Sequence, residues 1–145
     1  MVMSRVDFYH DADDKFTVAA RLAQKAVTAG LRLLISTPDA ETANLIDRVL
    51  WTFSPPSFVP HARTNTPLDR ESPVVIACEP LSKHTQTYDV LINLGNTLPD
   101  TTEGFDRIIE IVSRNDTDKS LARTRFRAYR ELGCELVAHQ LGNAE

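Results

Sequence analysis

Four short runs constrain the fold more than anything else in the chain: Leu31-Arg-Leu-Leu-Ile-Ser36, Pro73-Val-Val-Ile-Ala-Cys78, Val90-Leu-Ile-Asn-Leu94 and Ile108-Ile-Glu-Ile-Val112. A strand that is apolar on both faces must be covered on both faces, as the central strands of a parallel sheet are. Amphipathic helices separate these runs. Phe16, Ala20, Ala23 and Val27 recur at helical spacing, and Gly30 stands where a left-handed C′ residue ends a helix. Thr37-Pro38-Asp39 reads as the next helix start, with Thr37 as cap, Pro38 in the first turn and Asp39 favouring the positive helix end. That helix carries Ala43, Ile46, Val49 and Leu50 and ends near Trp51. A last helix, capped by Asp116 or Thr117, is expected to run to Gly133.

The flanks are less regular. Val2, Val6, Phe8 and Tyr9 form an N-terminal strand candidate interrupted by Asp7. Thr52 to His61 is a loop rich in proline and aromatics, Ala62 to Ser72 a polar and mobile stretch, and Glu79 to Asp89 a polar segment. Cys134 to Leu141 reads as a returning edge strand. Strands alternating with helices predict an α/β fold with a mostly parallel central sheet flanked by helices. The 145 residues fit one domain, residues 1–145. A chain of this length buries a core without metal or disulfide staples. Its two cysteines, Cys78 and Cys134, form no CxxC pattern and point to a reducing compartment. Cys78, at a strand end, is expected to be a buried small hydrophobe. The opening MVMSRVDFYHDADD has no apolar signal core, and no apolar run reaches the roughly 18 residues of a membrane span, so a cytoplasmic location is expected.

Motifs for catalysis are missing. The five glycines make neither GxGxxG nor GxxxxGK[ST], so no glycine-rich phosphate cradle is present. Asp11, Asp13 and Asp14 have the composition of a divalent-cation site, but acids before a helix more commonly cap it. The histidines, His10, His61, His84 and His139, lack ligand spacing. Cys134 follows a helix end and gains no positive helix N-terminus to activate it. No metal and no cofactor is expected.

Two features remain. Between Arg114 and Arg130 stand six basic residues against two acids, a local +4 in a chain whose total is −4, which leaves −8 on the remainder. At about 100° per residue, Lys119, Arg123, Phe126 and Arg130 fall within roughly 60° of one another, with Arg127 beside them. Leu121, Ala128 and Leu132 fall on the opposite side, the expected core stripe. The basic face suits an anion that also offers an apolar group, such as an acidic peptide with a hydrophobic end or a nucleic acid. It equally fits a solvated face on which arginine stems cover Phe126. The second feature is the concentration of Trp51, Phe53 and Phe58 among Pro55, Pro56 and Pro60, which fits a protein interface or a satellite core beneath the loop.

Taken together, Leu50-Trp51, Ser57-Phe-Val-Pro-His61, Pro73-Val-Val-Ile-Ala77, Asp89-Val-Leu-Ile-Asn-Leu94 and Leu121-Ala-Arg-Thr-Arg-Phe-Arg-Ala-Tyr-Arg130 with Gly133 resemble the chi subunit of bacterial DNA polymerase III. The order and spacing hold over nearly the whole chain. The resemblance implies a Rossmann-like domain without a nucleotide site, acting as a non-catalytic accessory subunit in DNA replication. It implies binding of the acidic, Phe-terminated tail of single-stranded DNA-binding protein through Val112, Lys119, Arg123, Phe126, Arg127 and Arg130. It further implies pairing with the psi subunit through Trp51, Phe58, Val59, Pro60 and His61, which links the protein to the clamp loader. DNA would be reached mainly through these partners, with no membrane contact. The rival readings are a direct single-stranded nucleic-acid binding module and a degenerate ATPase-like or nuclease-like domain.

Overall fold

The structure is a computed structural model, described here for residues 5–52, 60–64, 72–78, 88–99, 102 and 104–141. In chain order its elements are β1 (Arg5–Ala12), α1 (Lys15–Thr28), β2 (Leu33–Ser36), α2 (Ala40–Thr52), β3 (His61–Arg63), β4 (Val74–Ala77), β5 (Val90–Asn93), β6 (Arg107–Ser113), α3 (Asp116–Glu131) and β7 (Glu135–Gln140). The strands form one seven-stranded sheet in the order β3-β4-β2-β5-β6-β1-β7, and every pairing is parallel. The four apolar runs are β2, β4, β5 and β6, all interior strands, as the absence of a polar face requires.

Alternation along the strands divides the core in two. Leu33, Ile35, Val74, Ile76, Val90, Ile92, Ile109 and Ile111 meet the buried faces of α1 and α2 on one side. Leu34, Val75, Leu91, Ile108 and Val112 form a second cluster on the other side, to which α3 contributes Ala122 and Tyr129. Asp14 caps α1 by accepting from the backbone of Phe16 and Thr17, and Gly30 follows the helix at φ 78°, a conformation that glycine adopts without penalty. The acids before this helix therefore include its cap.

Several expectations are corrected. Asp39, not Thr37, caps α2 by accepting from Thr42 N at 2.8 Å, while Thr37 donates its N–H and hydroxyl to Ala77 O and ties the end of β2 to β4. Asn115, one residue earlier than expected, caps α3. His61 to Arg63, assigned to the loop and the polar stretch, form the edge strand β3. His61 Nε2 meets Asp47 Oδ1 at 2.6 Å and Arg63 donates to Asn44, so polar side chains hold this edge onto α2. Cys78 is exposed because it lies one residue beyond the end of β4. Leu121 and Leu132 are exposed, and α3 buries Ala122, Arg125 and Tyr129 instead, for a reason given below.

Asp7 does not interrupt β1. Its buried carboxylate accepts from Arg5 on its own strand, from Arg107 on β6 and from His139 on β7, and so fastens three adjacent strands. Burial alone would raise its pKa, but the hydrogen bonds from His139 and Arg107 outweigh that and hold it below the ordinary aspartate value. A depressed carboxylate pKa contributes stability that is complete above the unfolded-state value, near 3.9, and fades as pH falls through the folded-state value. Asp7→Asn is therefore expected to cost about 1–3 kcal/mol at pH 7, the range for hydrogen bonds to a charged group. The gap between the two proteins should narrow at about pH 3, below the unfolded-state value, where the unfolded wild-type chain takes up a proton that the folded carboxylate resists. Urea unfolding at both pH values checks this.

Candidate functional site

A cleft opens where two connections leave the sheet in opposite directions. The chain leaves β1 over the face covered by α1 and leaves β6 over the face covered by α3, although β1 and β6 are neighbours. In an open α/β sheet, crevices form outside the carboxyl ends of strands at such a reversal. Here the crevice is a cavity of about 330 Å³. Its walls are Phe8, His10 and Asp11 of β1, Val112 of β6, and Lys119, Ala122, Arg123 and Phe126 of α3.

The seating of α3 builds this cavity. At the turn into the helix, Asp118 accepts from Ser113 N at 2.8 Å and from Lys15 Nζ at 3.3 Å. Burial pushes the Asp118 carboxyl up, but the Ser113 and Lys15 interactions prevail and keep it below its usual range. In mid-helix the anchor is Glu110, fully buried on β6 and facing α3. Its carboxylate accepts from Arg125 Nε at 3.0 Å, from Tyr129 OH at 2.6 Å and from Asn93 Nδ2 at 2.8 Å. Arg125 also donates to Asn96 O, while its buried Nη2 has no acceptor among the described residues. Desolvation pushes the Glu110 carboxyl above its ordinary value, opposed by Arg125. The Tyr129 hydroxyl is driven far above its own, by burial and by the neighbouring carboxylate. This network explains the corrected helix face. Arg125 and Tyr129 point inward because a buried carboxylate requires partners. That rotation turns Leu121 and Leu132 toward solvent.

The same rotation places the expected ligand-binding residues. Val112, Lys119, Arg123 and Phe126 line the cavity together. The Phe126 ring lies edge-on to Phe8, with centroids 5.2 Å apart, and the Arg130 guanidinium stands over it at 5.2 Å. Arg127 is exposed and is not part of the lining. Arg125, counted with the basic residues of this helix, spends its charge on Glu110. The cavity thus has an apolar floor of Phe8, Val112, Ala122 and Phe126 beneath the cations Lys119 and Arg123. Phe8, His10, Asp11 and Ala122 were not among the expected site residues. Phe8 was recognisable as part of a strand, but nothing in the sequence says that β1 runs beside β6.

The second expected surface lies four strand spacings from β6, on the order of 20 Å along the sheet. Trp51, at the end of α2, is 62% exposed and sits edge-on to the His61 ring at 5.5 Å. Pro60 is exposed. His61, by contrast, is 2% exposed at its side chain and is held by Asp47, so it braces β3. Phe58 and Val59 lie outside the described residues. Among the described residues there is no group of three or more His, Cys, Asp or Glu side chains able to hold a metal ion, and no helix is long and apolar enough to cross a membrane.

Comparison with known proteins gives a consistent answer. The family model "DNA polymerase III chi subunit, HolC" matches residues 3–137. The DNA polymerase III subunit chi of Pseudomonas aeruginosa is 35% identical over 144 residues, covering 96% of this chain and 98% of that protein. The chi subunits of Haemophilus influenzae and Escherichia coli are 33% and 32% identical, covering 86% and 82% of this chain and 86% and 80% of theirs. Among solved structures, S. cerevisiae Dbp5 bound to RNA and ADP BeF3 superimposes with a TM-score of 0.60 at 12% identity, covering 96% of this chain and 42% of that one. The DUF1998 helicase MrfA bound to DNA and AMPPNP gives 0.57 at 12% identity, covering 91% of this chain and 23% of that one. At such identity these two show a shared fold alone.

The geometry of the Glu110 network carries a stability prediction. Glu110→Ala leaves the Arg125 guanidinium buried without its counter-charge, and breaking a buried pair in this way is expected to cost about 3–5 kcal/mol. Chemical denaturation of the two proteins at neutral pH measures the difference.

Proposed function

The chain belongs to the DNA polymerase III chi subunit family, accessory subunits of that polymerase in DNA replication, and on that premise we propose that it is an adaptor with two binding surfaces and no catalytic step of its own. The cavity beside α3 takes the acidic C-terminal tail of single-stranded DNA-binding protein. The observation that carries this reading is the pairing of an apolar floor with cations at its edge. A terminal phenyl ring fits between Phe8, Val112 and Phe126, and the carboxylates above it meet Lys119 and Arg123. Ion pairs supply orientation, and burial of the ring supplies affinity that salt does not screen. Arg127 and Arg130, exposed on the same helix, extend the positive field toward the acidic residues upstream of the ring. The far end of the sheet, around Trp51 and Pro60, docks the psi subunit and through it the clamp loader. An exposed tryptophan at a helix end, backed by a braced histidine, is the kind of rigid aromatic that anchors interfaces.

Calorimetric titration with an acidic peptide ending in Phe tests the first surface. Arg123→Ala is expected to weaken binding by about 1–3 kcal/mol, the range for hydrogen bonds to charged groups. Phe126→Ala should cost about as much through lost apolar contact. Melting curves of both variants confirm that they remain folded. Unchanged affinity in folded Arg123→Ala removes the site assignment. A single-stranded oligonucleotide titrated in parallel separates tail binding from direct nucleic-acid binding.

For the second surface, Trp51→Ala should reduce co-purification with psi and leave the melting temperature nearly unchanged, since the side chain is mostly exposed. His61→Ala should instead lower the melting temperature, because it removes the brace between β3 and α2. Retention of psi by a folded Trp51→Ala protein would place the contact elsewhere.

A further inference from the structure

The cavity contains an anion of its own. Between Tyr9 and Ala12 the register of β1 against β6 slips, so that β1 advances three residues while β6 advances two, from Ile111 to Ser113. One extra residue is therefore accommodated in β1, and Asp11 adopts φ 66°, the only non-glycine residue with positive φ among the described residues. In a regular strand His10 and Asp11 would point to opposite faces. The bulge cancels the alternation and turns both into the cavity. Phe8, before the bulge, packs with the α3 side of the core, and Ala12, after it, packs with the α1 and α2 side. Once there, the Asp11 carboxylate meets His10 Nδ1 at 3.0 Å and lies 3.9 Å from Lys119 Nζ. A carboxylate lining a site for carboxylates opposes binding, and a non-glycine residue holds a left-handed conformation only where its surroundings impose it.

We propose that Asp11 is a built-in competitor of the ligand: in the free protein its carboxylate occupies the cationic edge of the cavity, holding Lys119 and His10, and an incoming carboxylate displaces it from Lys119. This rests on the tail-binding reading of the cavity and deepens it, since it names the residue that sets how tightly carboxylates are held there. The adaptor's grip is thereby kept weak enough for exchange, and only a ligand that brings both a carboxylate and an apolar group to the floor outcompetes the internal anion.

The test compares wild type, Asp11→Asn and Asp11→Gly. Both replacements tolerate positive φ, so the bulge is retained. Titrated with the acidic Phe-terminated peptide, both variants should bind roughly three- to fivefold more tightly, the scale of a partly exposed charge pair. Equal or weaker binding in folded variants overturns the proposal. A second readout needs no peptide: long-range proton–nitrogen NMR of the His10 ring should show the proton on Nδ1 in the wild type and loss of that preference in Asp11→Gly. An unchanged ring spectrum also overturns it. If the wild type fails to bind the peptide while the His10 spectrum changes as expected, the tail-binding reading falls and the pairing of Asp11 with His10 stands. Failure of both readouts removes both.

Discussion

Everything at the candidate site depends on one buried carboxylate. Glu110 lies in the middle of the strand run Ile108-Ile-Glu-Ile-Val112, where any other polar residue would be a defect, and it is fully enclosed. An enclosed carboxylate is tolerable only with nearby donors, and three residues on two elements supply them: Asn93 on β5, and Arg125 and Tyr129 on successive turns of α3. Because the donors must reach a fixed point on β6, α3 can neither slide nor roll on the sheet. Apolar packing alone would leave both freedoms, since it has no direction. Hydrogen bonds of 2.6 to 3.0 Å do not.

The rest of the cavity is arranged around that fixed helix. With Arg125 and Tyr129 turned inward, Phe126 comes to rest against Phe8, and Lys119 and Arg123 stand at the edge. Arg130 covers the outer face of the Phe126 ring. The strand β1 completes the wall, and it is held in place by Asp7, which ties β6, β1 and β7 together through Arg107, Arg5 and His139. Two buried acids thus do complementary work. Glu110 fixes the helix over the sheet, and Asp7 fixes the order and spacing of the strands beneath it. The bulge at His10 and Asp11 then departs from regular strand geometry at the one place where the cavity needs side chains from consecutive residues.

The two proposed surfaces sit near opposite ends of the sheet. The cavity belongs to β1, β6 and α3, and the Trp51 end belongs to α2 and β3. A rigid parallel sheet between them suits an adaptor, because two partners can be held at once without touching. Such an arrangement needs no motion within the domain. It fits a fold whose interior strands are apolar on both faces and leave no slack between the layers.

The sequence alone determined the order of every element but β3, the mostly parallel sheet, the central position of β2, the capping of α1 by the acids before it, the end of that helix and the edge position of β7. These follow from local periodicity and from residues whose roles are settled by their immediate neighbours. Helical spacing also put Lys119, Arg123 and Phe126 on one face of α3, and the family resemblance added Val112 of the preceding strand to them; the four line one cavity. Only the tertiary structure decided which stripe of α3 is buried. Leu121 and Leu132 look like core until Glu110, more than ten residues earlier, claims Arg125 and Tyr129. Likewise, only the structure brought Phe8, His10 and Asp11 to a helix more than a hundred residues away. Pairing between β1 and β6 is a nonlocal choice, and a bulge reverses side-chain direction without any change in the hydrophobic pattern. The edge strand β3 was hidden for a related reason: its three residues are held by His61 and Arg63 reaching α2, through polar contacts that no apolar periodicity records.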